Sequence, residues 1–257
     1  MIDRSRLLSE TFIRDVEWFE TIGSTNTFAL HLTRLVGDLP VLVGTEHQSQ
    51  GRGRGNNSWW ACSGSLTFSL LISPASFRLS PAQWPLLSLA TGLAVCQALE
   101  SEPPHIDLRL KWPNDVFADG KKLCGILLEG HPTQSEQLVI GIGLNVNNSL
   151  AHAPDEVRQR ATSLCDLRTA PWDRTEVLIS ILKALAAQFQ ALGDDSLQFA
   201  EQFRQRCYLS GRIVTIKEAQ GEVTGCCQGI DDDGALRLMT ELGPRRVLAG
   251  VITAIGD

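Results

Sequence analysis

The region between residues 106 and 147 alternates apolar and polar residues over short runs, a pattern that favours consecutive β-strands. In the first run, every second residue is apolar: Ile106, Leu108, Leu110 and Trp112. Such alternation places one set of side chains on each face of a strand. Asp119-Gly120, a pair typical of two-residue hairpin turns, follows, and then come the runs KKLCGILLEG and QLVIGIGLNV. Strands joined this closely pair in antiparallel fashion, so the sequence predicts a largely antiparallel sheet.

Helical patterns surround this region. Four segments have apolar residues at helical spacing: residues 28–37, 80–99, 173–193 and 196–206. The third opens with a capping-box pattern, Asp173 to Glu176. VEWFET, PVLVGTEHQ and SLTFSLLI are further strand-like runs in the first third of the chain. We therefore predict the α+β class, with a mixed, largely antiparallel sheet packed with helices.

The pattern of apolar and polar residues changes after Tyr208. The runs RIVTI, EVTGCCQGI, ALRLMT and RRVLAG are short and strand-like, and glycine and aspartate separate them. About fifty residues of this kind favour a small β-barrel. We place a domain boundary near residue 207, with a larger domain at 1–206 and a small one at 207–257.

Composition excludes several classes of protein. The net charge of −6 argues against a broad nucleic-acid surface, although a local cationic pocket is compatible with it. The seven cysteines include no Cys-x-x-Cys pair, so we expect neither a structural metal nor a disulfide framework. The N-terminus lacks the pattern of a signal peptide, and no run approaches eighteen apolar residues. We expect a cytoplasmic protein without a membrane span.

The segment GRGRGNNSWW, residues 51–60, is the most unusual in the chain. Three glycines and two asparagines free the backbone, while two arginines supply fixed charge that suits phosphate and carboxylate oxygens. Without a ligand these residues have little to pack against, so we expect a mobile loop that closes over an anion. A solvated glycine-rich turn and an RNA-binding Arg-Gly segment are the alternatives.

Three further segments carry candidate functional residues. Asp115 follows Trp-Pro-Asn at a strand tip, where it could bind Mg²⁺ on a nucleotide, although Pro-Asn-Asp is also a common turn. Lys121 and Lys122 stand at consecutive strand positions, so only one can face a site. Gly141 and Gly143 share one strand face, which indicates close approach by a ligand or by a packed helix.

Together and in this order, the segments resemble the biotin protein ligase family. The resemblance rests on five motifs: Gly-Ser-Thr-Asn at 23–26, Gly-Arg-Gly-Arg at 51–54 with Trp59, Lys-Trp-Pro-Asn-Asp at 111–115, Lys-Leu-x-Gly-Ile at 122–126, and Gly-x-Gly-x-Asn at 141–145. GIDDDGAL at 229–236 is similar to the family's small C-terminal barrel. The resemblance implies a class II synthetase-like catalytic domain followed by an SH3-like barrel.

The resemblance also implies roles for individual residues. It assigns biotin contacts to Ser24, Thr25, Asn26, Gln48, Arg52, Gly53, Arg54, Lys122, Gly125, Gly141 and Gly143. It assigns ATP contacts to Arg54, Trp59, Lys111, Asn114, Lys122 and Asn145. Asp115 would lie at the magnesium of the nucleotide. Lys122, Arg52 and Arg54 would be the catalytic residues.

The activity implied is the ATP-dependent formation of biotinyl-5′-AMP, followed by transfer of biotin to a lysine of a biotin carboxyl carrier domain. Lipoate or octanoate transfer is the nearest alternative. The chain departs from the family pattern at residues 55–58, GNNS, where many members are more basic. Only about sixteen residues precede the first motif, so we expect no helix-turn-helix domain and no specific DNA binding. We expect a monomer or a weak homodimer.

Overall fold

The structure, a computed structural model, describes residues 2–32, 34–100, 106–168, 171–194 and 196–256. Its larger sheet has seven strands in the order β1-β2-β3-β7-β6-β5-β4. The strands are β1 Asp15–Ile22, β2 Val41–Gln48, β3 Leu66–Ile72, β4 Leu108–Lys111, β5 Asp115–Ala118, β6 Lys121–Gly130 and β7 Leu138–Leu144. All neighbours pair in antiparallel fashion except β1 and β2, which are parallel. The predicted α+β class with a mixed, largely antiparallel sheet is confirmed.

The turn between β5 and β6 has the predicted form. Asp119 and Gly120 have φ angles of 48° and 78°. Two successive positive φ angles are the requirement of a type I′ hairpin, whose twist matches that of the flanking strands. The turn pairs Phe117 on β5 with Lys122 on β6, and a one-residue shift in register beyond this pair then places Asp115 opposite Gly125. The turn thereby brings two of the candidate motifs side by side.

Helices cover the sheet. They are α1 Arg4–Glu10, α2 Thr25–Ala29, α3 Leu86–Glu100, α4 Asp155–Arg160, α5 Leu164–Leu167, α6 Arg174–Asp194 and α7 Ser196–Arg206. The apolar helix α3 is buried between the sheet and α6, and the three elements share one hydrophobic core. By length and composition α6 could cross a membrane, and half of that stretch is buried inside the protein.

Two predicted helices are shorter than expected. The helix predicted over residues 28–37 ends at Ala29, and a 3₁₀ turn at Val36–Asp38 lies before β2; residue 33 lies outside the described residues. The apolar spacing suggested a buried helix face, but Leu35 and Val36 are exposed rather than packed. The helix predicted over residues 80–99 begins only at Leu86, since Pro81–Gln83 forms a separate 3₁₀ turn.

Helix α1 was not predicted from the sequence. Asp3 caps this helix, because its side chain accepts a hydrogen bond from the backbone N–H of Arg6 at 3.1 Å. Leu7 is fully buried and anchors the helix in the main core. One buried leucine in seven residues is too little periodicity to reveal such a helix from sequence.

A second sheet occupies the C-terminal part of the chain. It consists of β8 Ile213–Glu218, β9 Gly221–Ile230, β10 Leu236–Thr240, β11 Gly243–Val247 and β12 Val251–Ile255, in the order β11-β10-β9-β8-β12 and antiparallel throughout. The C-terminal part of the chain is in direct contact with the end of β4, since Trp112 Nε1 donates to the carbonyl of Gly234 at 3.0 Å and Tyr208 N donates to the carbonyl of Leu110 at 2.8 Å.

Candidate active site

A cavity of about 820 Å³ lies between β6, β7, α2 and the glycine-rich loop. It is lined by nearly all of the residues that the sequence analysis singled out: Ser24, Thr25, Asn26, Gln48, Arg52, Gly53, Arg54, Trp59, Lys111, Asn114, Asp115, Lys122, Gly125, Gly141 and Gly143. Residues more than one hundred positions apart in sequence thus share one site. The loop from 51 to 59 covers one side of the cavity, and residues 250–252 of the C-terminal sheet reach another.

One end of the cavity is a dense hydrogen-bond network at the start of α2. Ser24 caps the helix, and Gln48 Oε1 accepts from Thr25 N at 2.8 Å and from Thr25 Oγ1 at 3.1 Å. Ser69 Oγ on β3 lies 2.7 Å from Thr25 Oγ1 and 2.6 Å from Asn26 Oδ1. These side chains are buried, so each is held in one orientation. Ser69 was not identified from sequence.

Asn26 is fixed by contacts on both sides of its amide. Its Nδ2 donates to the carbonyl of Leu127 at 3.2 Å and to Glu129 Oε2 at 2.8 Å. Its Oδ1 lies against Gly141, where an added Cβ would approach it to 2.1 Å. Gly141 is therefore required to be a glycine because α2 packs a polar side chain onto β7.

A second pair of glycines forms a flat floor for an aromatic ring. Gly125 on β6 and Gly143 on β7 are register partners, and the indole of Trp59 lies over both. A Cβ on Gly143 would come within 2.3 Å of this ring. Among the described residues no group accepts a hydrogen bond from the buried Trp59 Nε1, so this donor is available to a molecule in the cavity.

The glycine-rich loop is a compact turn in this structure. Gly53 N donates to the carbonyl of Asn57 at 2.8 Å, and Trp59 N donates to that of Gly51 at 3.0 Å. A Cβ on Gly51 would lie 2.3 Å from the Trp59 carbonyl oxygen, so this glycine permits a close backbone approach. Residues 55–58 are exposed, as expected for the part of the loop that packs against nothing.

The two arginines of the loop point to different partners. Arg52 forms an ion pair with Glu129 on β6 at 2.5 Å and donates to Thr27 Oγ1 at 3.2 Å. Arg54 is half-buried, with its Nη1 3.4 Å from Asn114 Oδ1. Burial lowers the pKa of Arg54, and the neighbouring carboxylate of Asp115 opposes that change. An arginine desolvated in this way binds a phosphate more strongly than an exposed one.

The opposite end of the cavity is cationic. Lys122 forms an ion pair with Asp115 at 2.7 Å, whereas Lys121 is exposed on the other face of β6, as the alternation predicted. Burial lowers the pKa of Lys111, and the nearby charges of Lys122 and Arg160 lower it further, while Asp115 raises it. Positive charge is therefore concentrated here in a protein whose net charge is −6.

Asn145, which the family resemblance assigns to ATP, is not among the residues that line the cavity in the described part of the chain. It is buried, its Nδ2 donates to the carbonyl of Thr162 at 2.9 Å, and its Oδ1 accepts from Asn148 at 2.9 Å. Both groups of its amide are thus used inside the protein. The asparagine fastens the segment after α4 to the end of β7.

Glu129 and Arg160 belong to the site but were not identified from sequence. Glu129 could have been found, because it lies on β6 at the period-two positions that follow Gly125 and Leu127, on the face of the candidate glycines. Arg160 ends the short helix α4 and lines the cavity next to Lys111 and Lys122. No local pattern places it there, since its position depends on how α4 packs on the sheet.

The described residues contain no cluster of three or more metal-binding side chains. Asp115 is the one carboxylate among the cavity-lining residues named above. None of the cysteines lines this cavity in the described part of the chain. Burial raises the pKa of Cys96 to about 12, which keeps that thiol protonated.

Comparison with known proteins gives the same family for both parts of the chain. The model of the biotin/lipoate A/B protein ligase family matches residues 18–147, and that of the biotin protein ligase C-terminal domain matches residues 209–253. The chain is 35% identical to the biotin–[acetyl-CoA-carboxylase] ligase of Mycobacterium tuberculosis, with 96% of each chain covered. It is 29% identical to the bifunctional ligase/repressor BirA of Bacillus subtilis, with 97% of this chain and 77% of that protein covered.

Among solved structures, the biotin protein ligase from Aquifex aeolicus in complex with biotin and ATP is similar over 95% of this chain and 99% of its own. The TM-score is 0.80 and the sequence identity is 30%. The first family model covers the site motifs of the seven-stranded sheet. The second covers most of the C-terminal sheet. The chain therefore belongs to the biotin/lipoate A/B protein ligase family and carries the C-terminal domain of the biotin protein ligases.

Proposed function

We propose that this protein activates biotin with ATP and transfers it to a lysine of a biotin carboxyl carrier domain. The observation that carries the proposal is one cavity with two chemically different ends, the hydrogen-bond network at Thr25 and Asn26 and the cationic end at Lys122. The name of the Mycobacterium tuberculosis relative and the biotin and ATP in the Aquifex aeolicus structure support the same activity.

The biotin ring belongs at the polar end. Ser24, Thr25, Asn26 and Gln48 are short polar groups that offer donors and acceptors to the edge of a ureido ring. Most of their hydrogen-bonding groups are already oriented by neighbours, so little ordering entropy is lost when the ring binds. The glycines at 141 and 143 allow Asn26 and Trp59 to lie directly against the sheet, which leaves the space beside them for the bicyclic system and its chain.

The nucleotide belongs at the cationic end. Trp59 presents a ring face and its free Nε1–H to the base or ribose, and Arg54, Asn114 and Lys111 lie within reach of phosphate. Magnesium enters as part of the MgATP substrate, with Asp115 as the carboxylate beside it. A single carboxylate fits this role, because Mg²⁺ in nucleotide sites uses few protein ligands together with phosphate oxygens and water.

In the first step a carboxylate oxygen of biotin attacks the α-phosphorus, the bond to the oxygen that bridges the α- and β-phosphates breaks, and pyrophosphate leaves with that electron pair. Two like charges ~4 Å apart repel by roughly 4 kcal/mol at an effective dielectric near 20. Lys122 sits where the carboxylate and the α-phosphate meet and offsets this repulsion. Its contribution is largest as charge moves onto the leaving oxygen.

In the second step the amine of a carrier lysine attacks the carbonyl carbon of the mixed anhydride, and AMP leaves. The loop that holds Arg52, Gly53 and Arg54 closes over the adenylate and excludes water until the lysine arrives. Enzyme cysteines take no part, because the anhydride itself is the activated acyl donor.

Lipoate or octanoate transfer is the alternative within the family. Those acids have no ureido ring, so an apolar chain would lie against the polar side chains of Thr25, Asn26 and Gln48 that line this end of the cavity and would form no hydrogen bonds with them. The buried network therefore favours biotin. A competition assay with biotin, lipoate and octanoate checks this, and activation of either fatty acid in preference to biotin would contradict it.

Transfer is tested with the purified protein, biotin, MgATP and a biotin carboxyl carrier domain. Mass spectrometry should show one biotinyl group on a single lysine of the carrier, with no modification when ATP is omitted. A carrier with that lysine changed to arginine is the matched control. An unmodified carrier in the complete reaction would refute transfer to this class of partner.

We also expect a cytoplasmic protein without specific DNA binding. The net charge of −6 motivates the second expectation, because DNA-binding surfaces carry a basic excess. A gel-shift assay with the protein's own promoter, with and without biotinyl-AMP, checks this, and a specific band at nanomolar concentration would contradict it.

A further inference from the structure

Arg160 is a basic side chain of the cavity to which the steps above give no role. It is the last residue of α4, it is exposed, and it lines the same cavity as Lys111 and Lys122. Two residues earlier on the same helix, Arg158 forms an ion pair with Asp155 at 2.8 Å and does not line the cavity. Arg160 has no carboxylate partner among the described residues.

The backbone after Arg160 is fastened directly beside Lys122. Ala161 forms a parallel bridge with Lys122, and Thr162 N donates to the Lys122 carbonyl at 2.9 Å. The buried amide of Asn145 holds the Thr162 carbonyl from the other side at 2.9 Å. The end of α4 is therefore held in place by three contacts. The side chain of Arg160 extends from this fixed backbone at the cationic end of the cavity.

Two other cations of the cavity already form ion pairs. Lys122 is paired with Asp115, and Arg52 is paired with Glu129. The loop residues 55–58, GNNS, carry no charge at all. Lys111 forms no ion pair among the described residues, and its ammonium lies 5.0 Å from the ring centroid of Phe117. Arg54 of the loop likewise forms no ion pair, but its guanidinium is directed to Asn114 Oδ1 at 3.4 Å. Lys111 and Arg160 are the further cations of this end that form no ion pair among the described residues.

In the first step of the reaction, two cations such as Lys111 and Arg160 can offset the negative charge of the phosphates. Most of the charge of ATP resides on its β- and γ-phosphates, and the leaving pyrophosphate gains further charge as the bond to the α-phosphorus breaks. The planar fork of an arginine matches two phosphate oxygens at once. A lysine supplies a compact charge beside it, and both act in a part of the cavity where burial already lowers the pKa of Lys111.

We propose that Arg160, together with Lys111, binds the β- and γ-phosphates of ATP and the pyrophosphate that leaves, and so takes the place of the basic loop residues that this chain lacks. This assignment rests on the proposed function. It makes Arg160 a binding residue of the first step alone, since biotinyl-AMP retains neither of these phosphates.

The two half-reactions separate this role from a structural one. Arg160→Gln should raise the KM for pyrophosphate about 10-fold when biotinyl-AMP is converted back to ATP, as expected for the loss of one charge-assisted contact. Transfer of biotin from preformed biotinyl-AMP to the carrier domain should stay at the wild-type rate. Arg158→Gln is the matched control and should change neither, and Arg160→Lys should recover part of the affinity for pyrophosphate.

Two results would overturn the assignment. One is an unchanged KM for pyrophosphate in Arg160→Gln; the other is an equal loss in both half-reactions, which would make Arg160 a structural residue. If the wild-type protein forms no ATP from biotinyl-AMP and pyrophosphate, the proposed function fails, and the assignment fails with it. If the wild type does so and Arg160→Gln behaves identically, the assignment alone is wrong.

Discussion

Arg52 in the glycine-rich loop and Glu129 on β6 form an ion pair with a nitrogen–oxygen distance of 2.5 Å. The second carboxylate oxygen of Glu129 accepts a hydrogen bond from Asn26 Nδ2 at 2.8 Å. One carboxylate therefore connects the loop to the polar end of the cavity. Because Glu129 is only 23% exposed, this pair is less screened by solvent than an ordinary surface ion pair.

The first prediction concerns this connection. Arg52→Ala and Glu129→Ala should each raise the KM for biotin about 10-fold, the loss typical of one charged hydrogen bond. The double variant should be little worse than either single one, because both changes break the same contact. Glu129→Gln should be milder, since it still accepts from Asn26. Effects that multiply in the double variant would show that the two residues act independently.

A second prediction concerns the floor of the cavity. Gly141→Ala should raise the KM for biotin at least about 10-fold, because its Cβ would meet Asn26 Oδ1 at 2.1 Å and the buried network prevents the asparagine from moving aside. Gly130→Ala on the neighbouring strand is the matched control, since nothing lies within 4 Å of its added Cβ. Normal biotin affinity in Gly141→Ala would mean that Asn26 is not a biotin contact.

The third prediction compares two adjacent lysines. Lys122→Ala should slow formation of the adenylate by at least about 100-fold, as is typical when one charge-stabilising group of a transition state is removed. Lys121→Ala should have a mild effect, because that side chain is exposed on the other face of β6. Single-turnover measurements of biotinyl-AMP formation provide the comparison. Equal losses in the two variants would contradict the assignment of Lys122.

Much of this site was predictable from sequence because its motifs lie on strands. Alternation places Gly141 with Gly143 on one face and separates Lys121 from Lys122, and the structure has both arrangements. Period two along β6 also points to Glu129, although the charge of a lone glutamate gave no reason to single it out. Local periodicity is sufficient wherever the strand itself decides the direction of a side chain.

The positions of the other residues could not be predicted, because they depend on packing between segments that are distant in sequence. Asn145 belongs to a recognised motif, yet its amide is used by Thr162 and Asn148 rather than by the cavity. Arg160 enters the site only because the segment after α4 pairs with β6 at Lys122. Similarly, the apolar spacing after Phe28 predicted a long helix, but the chain leaves α2 at Ala29. Contacts of this kind have no signature in a local stretch of sequence.

A fourth prediction concerns the movement of the loop. In the free protein, residues 55–58 pack against nothing, so trypsin should cleave readily after Arg52 or Arg54. Biotin with MgATP should protect both sites, because the adenylate supplies a phosphate for Arg54 and a surface for Trp59 that offset the cost of ordering the loop. Cleavage at an unchanged rate with saturating ligands would show that this loop is not the lid.

The central claim is that the cavity joins biotin to ATP, and exchange of labelled pyrophosphate into ATP tests it most directly. This assay needs no carrier protein, because it follows the reversible first step alone. The purified protein with MgATP and pyrophosphate should incorporate label only when biotin is present, and Lys122→Ala should lose most of that incorporation. Exchange that proceeds equally well without biotin, or no exchange with biotin present, would contradict the proposed activity.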